Sequence, residues 1–236
     1  MSNPASRGRI DEQMVLAEAA MRRGKWFEAE RCAQKGLEMA RRADEFALMG
    51  SICLPLLEAR RQRLQLALDT KKVHILNHGV VEEMKVQPGC YLVEPPLVGA
   101  DARRLRLAAL RDEVPVAVVC REPINRMGEC PVVAIGATTV RTRITPPRSL
   151  DKPTLSWFAG ALEQLGDFAV ETVDSGHDLD KQIDDVMAKL DAHSDHEGLH
   201  QTLMDLCQQA AKGFVRARDV DPLDAELAEE PDDESE

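Results

Sequence analysis

The sequence is poor in aromatic side chains, with two Trp, one Tyr and five Phe among 236 residues. A core built from it must rest on Leu, Val, Ile, Ala and Met. No apolar run approaches the roughly 18 residues of a membrane span, and the first thirteen residues show no apolar stretch after their charges. Neither a membrane helix nor a signal peptide is expected, so the expected location is cytoplasmic. The six cysteines (Cys32, Cys53, Cys90, Cys120, Cys130 and Cys207) include no C-x-x-C pair. That pattern excludes a disulfide framework and predicts buried, reduced thiols acting as small hydrophobes. Both nucleotide fingerprints, G-x-G-x-x-G and G-x-x-x-x-G-K-[ST], are missing as well.

Positive charge is in deficit, with 30 basic against 41 acidic residues and a net charge of −11. Such a balance argues against whole-chain attraction to nucleic acid or anionic lipid. The charge is partitioned: residues 1–72 carry fourteen basic and ten acidic groups, residues 163–236 five basic and 22 acidic. Between them, residues 100–148 hold nine Arg, no Lys and five acids. Hydrophobic residues at 44% and charged residues at 30% describe a folded chain, of a length suited to one compact core with an accessory element.

After a flexible N-terminus over residues 1–10, Asp11 to Ala43 is rich in helix formers and broken at Arg23-Gly24-Lys25. The pattern predicts two helices joined by a tight turn. Leu16 and Ala17, Gly24, Trp26 and Phe27, then Ala29, Ala33 and Leu37 together resemble a tetratricopeptide repeat, with a degenerate continuation through Asp69 that contains Pro55. Gly36 and Arg41-Arg42 depart from the repeat's preferences. The resemblance implies a helical element over residues 11–70 that binds a protein partner, or a second copy of the chain, on its concave side. Trp26 and Phe27 would then be the residues shared between packing and partner binding. Since such repeats need about three copies to stand alone, the hairpin must lean on the rest of the chain or on a partner.

From Val73 the periodicity changes. Residues 73–76, 90–93 and 114–120 are short β-branched apolar runs of the kind that fill strands buried on both faces. A helical run from Gly99, with Asp101 as its N-cap, separates the second from the third and makes a strand, helix, strand crossover. Residues 131–135 and 138–144 read as a hairpin with one wet, basic face. A helix after Lys152-Pro153 should cover the sheet through Leu155, Trp157, Phe158, Leu162 and Leu165. The predicted fold is α/β: the helical hairpin, a small mixed sheet over residues 71–172, a C-terminal helical pair over 173–216, and a disordered acidic tail over 217–236.

Three sets of residues carry candidate chemistry. His196-Glu197-Gly198-Leu199-His200 matches H-E-x-x-H and resembles the zincin metalloproteases. That resemblance implies a zinc-dependent hydrolase in which His196 and His200 ligate zinc and Glu197 is the general base. The same residues read as a capping box from Ser194 to Glu197, a solvated helix start without metal. A third ligand would come from His193, Asp224 or Glu226. The second set, Glu94, Asp101 and Arg121, falls at the carboxyl ends of the parallel strands and at a helix start, where a small anion could bind. An ordinary ion pair is the competing reading for Arg121. The third set is the arginine face of Arg103, Arg104, Arg106, Arg141, Arg143 and Arg148, which lacks interleaved aromatics for base stacking and reads as solvated or as a dock for the acidic tail. Taken together, the residues favour a non-enzymatic adaptor or scaffold without a cofactor, the zinc hydrolase being the alternative.

Overall fold

A computed structural model describes residues 4–79 and 85–213. The expected acidic tail lies outside these residues, and so do Asp224 and Glu226. Three helices come first: α1 (Pro4–Arg22), α2 (Trp26–Arg42) and α3 (Phe46–Leu68). The break at Gly24 is a turn in which glycine takes φ +68°, a conformation that costs other residues energy. Helix α1 begins at Pro4, so residues 4–10 of the segment expected to be loose are helical, and Ile10 is fully buried. Along α2, Ala29, Ala33, Gly36, Leu37 and Ala40 form the buried stripe. A side chain on Gly36 would press on Met14 of α1 at 3.3 Å, so the small residue permits the close approach of the two helices. Of the two repeat-pattern residues on α1, Leu16 is 44% exposed and Ala17 is buried.

The sheet contains β1 (Val73–Leu76), β2 (Gly89–Val93), β3 (Val116–Arg121), β4 (Cys130–Ile135) and β5 (Thr139–Ile144), in the order β1-β2-β3-β4-β5. β1, β2 and β3 are parallel, while β4 and β5 extend the sheet antiparallel. Side chains alternate between faces with the period of two that strands impose. Cys90, Leu92, Ala117 and Val119 face the main core, whereas Tyr91, Val93, Val116 and Cys120 face a second core. The second core is covered by α4 (Gly99–Arg111), the crossover between β2 and β3. Against the other face lie α3 and α5 (Leu155–Glu171), with α6 (Leu179–Ala192) and α7 (Glu197–Ala210) completing the chain.

Helix α7 packs against α3, so the N-terminal helices are sealed to the α/β core. Five of the six cysteines are buried and Cys32 is half-buried; all are free thiols. Burial pushes the Cys53, Cys120 and Cys207 thiols up to about 12, which leaves them protonated and inert at neutral pH. No helix among the described residues is long and apolar enough to cross a membrane.

Candidate functional site

The H-E-x-x-H segment lies at the start of α7, and its three polar residues point to three different places. His196 is the N-cap: its Nδ1 accepts the Leu199 N–H at 3.3 Å. The ring is pressed onto α5, where a Cβ on Gly166 would stand 2.1 Å from His196 Cγ. Because Nδ1 accepts, the proton of the neutral ring sits on Nε2, which faces Asp167 at 3.3 Å and Glu163 at 3.7 Å. These three residues form the metal-like cluster found among the described residues. The tautomer makes it a histidine-to-carboxylate contact, since a ligating Nε2 would need its lone pair free.

His200 is fully buried, and both of its ring nitrogens are occupied. Nδ1 donates to the His196 carbonyl at 2.9 Å, while Nε2 accepts from Arg60 Nη1 at 3.1 Å, as it must because a guanidinium only donates. Glu197 is exposed and paired with Arg61 of α3. The zinc set of His196, His200 and Glu197 is therefore not brought together. The expected capping box is absent too: Ser194 Oγ donates to Asp195 at 3.0 Å, and the cap falls two residues later on an imidazole. His193 donates from Nε2 to the Leu162 carbonyl at 2.9 Å and stacks on His196 with ring centroids 6.0 Å apart.

Behind this segment lies a buried ionic network that the motifs did not reveal. Glu30 of α2 stands between two guanidinium groups of α3: Arg60 Nε donates to its Oε1 at 2.9 Å, and Arg63 Nε lies 2.6 Å from its Oε2. The Arg63 contact is a close ion pair without hydrogen-bond alignment, since neither atom has a hydrogen-bond partner. Arg63 also reaches Asp195 at 3.4 Å and lies over the Phe27 ring, while Arg60 donates to Gln34 at 3.1 Å. The network joins α2, α3 and the start of α7. A signal was present in the spacing, because Arg60 and Arg63 fall on the same stripe as Ile52, Leu56 and Ala59.

At the strand ends, Glu94 and Arg121 do meet, as an ion pair: Arg121 Nε donates to Glu94 Oε2 at 2.8 Å, and Asn77 Nδ2 donates to Oε1 at 3.1 Å. Each side chain is only 11% exposed. The carboxylate occupies the position that an anionic ligand would take on Arg121. Asp101 stands apart at the third position of α4 rather than as its N-cap: its carboxylate accepts the Val98 N–H at 2.9 Å and pairs with Arg104. The basic face is also largely matched, with Arg141 on Glu122 at 2.7 Å and Arg143 near Glu129 at 3.7 Å.

Two of the larger concave sites have mainly apolar walls. One, of about 500 Å³, is an open trough between α1 and α3 lined by Met14, Met21, Leu48, Ile52, Leu54 and Pro55. Leu54 is 59% exposed within it. Pro55 carries no N–H for the Ser51 carbonyl, and Ser51 lines the same trough. The second, of about 380 Å³, lies between α2, α4 and α6 and includes Phe27 and Leu107. Phe27 is thus part of a cavity wall beneath Arg63. Trp26, its neighbour, is half-buried and belongs to neither site.

No family model matches the chain, and no significant match was found among curated proteins or solved structures.

Proposed function

We propose that the protein is a non-enzymatic binding protein whose α1/α3 trough receives a segment of a protein partner. The observation that supports this reading is the apolar floor between α1 and α3, which the described residues leave uncovered. Contiguous exposed apolar surface of this kind marks interaction sites in soluble chains. The charged residues lining the trough are Asp11, Glu18 and Glu58, all acids, although residues 1–72 carry a surplus of base. A complementary partner segment presents apolar side chains flanked by Lys or Arg. The ionic network of Glu30, Arg60 and Arg63 holds α2 against α3 and so fixes the scaffold behind the trough.

The test is co-purification of the tagged full-length chain from its own cells. Leu54→Glu places a charge on the trough floor and removes the specific partner. Met127→Glu, at an 81% exposed position in the loop before β4, leaves the partner bound. Partner recovery that is equal for the two variants contradicts the reading.

A further inference from the structure

We propose that the second cavity, between α2, α4 and α6, binds a small apolar monocarboxylate, with its carboxylate on Arg106 and its alkyl body on Leu37, Leu107, Leu110 and Met187. The proposal concerns a different site from the partner trough and does not depend on it.

Two observations carry it. First, the wall is apolar and open: Leu107 is 48% exposed where α4 faces α2 and α6. A volume of about 380 Å³ lies at the small end of the range for small-molecule sites. Second, the charges around the wall cancel except at one point. Arg60 is matched by Glu30, Arg31 by Glu113 at 2.7 Å and Arg111 by Asp112 at 2.7 Å. The acids are matched too: Glu38 lies 3.7 Å from Arg42, and Asp191 lies 3.6 Å from Arg103 while accepting the Ala137 N–H. Arg106 differs. Among the described residues its hydrogen bonds go to the carbonyls of Ile135 and Asp191 alone, without a carboxylate in contact.

Carbonyl dipoles solvate a guanidinium but do not neutralise it, and desolvation is the largest influence on Arg106, lowering its pKa against the pull of Asp195 and Asp191. A carboxylate on Arg106 gains a charge-assisted hydrogen bond. One unmatched cation among apolar walls selects a monoanion with an apolar body. A phosphate dianion would carry a second charge with nothing to meet it. The guanidinium is held in place for this role: the β4/β5 turn abuts the end of α6 so closely that a Cβ on Gly136 would stand 2.3 Å from Ala192 N, and Arg106 binds carbonyls from both elements.

The test is calorimetric titration of the full-length protein with decanoate and with decanol, its neutral counterpart, well below the micellar range. The expected result is about one equivalent of decanoate bound at least about tenfold more tightly than decanol. Arg106→Gln brings decanoate to the level of decanol, and Leu110→Trp, which fills the cavity, weakens both. Leu54→Glu in the other trough changes neither. Equal affinity for the two ligands, binding of neither, or loss of decanoate in Leu54→Glu overturns the proposal. Should Arg106→Gln fail to fold, the ratio of the two ligands in the unaltered protein and its response to Leu110→Trp decide the matter.

Discussion

Lowering the pH toward about 5 destabilises this protein through two buried imidazoles. Burial holds His200 down to about 3, with the Arg60 charge adding to the effect. His193 is held to about 4, again by burial first, against the opposing attraction of Asp195. Both stay neutral in the folded chain at pH values where the unfolded chain, with an ordinary histidine value near 6.5, takes up protons. Their contribution is therefore fully present above about pH 6.5, declines as the pH falls below it, and levels off near the folded values. Each histidine loses about 1.4 kcal/mol per pH unit in that window, so about 1.5 units of acidification removes about 2 kcal/mol each and about 4 kcal/mol together. That is a large part of the 5–15 kcal/mol typical of a domain. The assay is urea unfolding at intervals between about pH 7.5 and 5, for the unaltered protein and for His200→Gln. The variant should show about half the histidine-dependent slope in this window, whatever its stability at neutral pH. An unchanged slope in His200→Gln, or stability independent of pH across the window, would mean that these imidazoles are not held neutral by burial.

Three further outcomes follow from the same contacts. Glu30→Gln leaves Arg60 and Arg63 buried without their shared carboxylate and lowers unfolding stability by about 3 kcal/mol; a loss below about 1 kcal/mol would show that the two guanidinium groups find water instead. Gly166→Ala drives a methyl into the His196 ring, lowering the melting temperature by an amount equivalent to about 2 kcal/mol, and an unshifted melting curve would mean that α5 and α7 are not held this close. Protein purified without chelator carries no stoichiometric zinc, because His200 has both nitrogens bonded and His196 has its proton on Nε2; one equivalent of zinc lost in His196→Ala would contradict that assignment.

Much of the architecture could be read in advance because its signals are local and periodic. Runs such as Cys90-Tyr91-Leu92-Val93 have too little polar character to be anything but doubly covered strands, and the sheet pairs them parallel as the crossover requires. The helical break at Gly24 needed only one residue that tolerates positive φ. Side-chain chemistry was less legible. Ser194 and Glu197 have the spacing of a capping box, yet an imidazole of the same segment caps α7, a role that spacing rules reserve for smaller residues. His196 and His200 share the i, i+4 spacing of zinc ligands, but spacing says nothing of what opposes a ring. Arg60, 140 residues before His200, decides which nitrogen of His200 is protonated. Topology brings Glu94 and Arg121 to one place, since parallel strands end together. That they satisfy each other depended on side-chain reach across neighbouring strands. Arg106 looked like one more cation on a wet helix face. Its unusual surroundings come from carbonyls of Ile135 and Asp191, contributed by elements far along the chain.

The most direct test of partner binding in the trough is site-specific photo-crosslinking in the protein's own cells, with a photoreactive phenylalanine analogue placed at Leu54 in the trough and, separately, at Met127 on the loop before β4. A partner seated in the trough gives a discrete crosslink from position 54, absent from position 127, whose attached peptide is apolar and flanked by basic residues. The same crosslinks from both positions, or none from position 54, would contradict the claim that the α1/α3 trough is where this protein binds its partner.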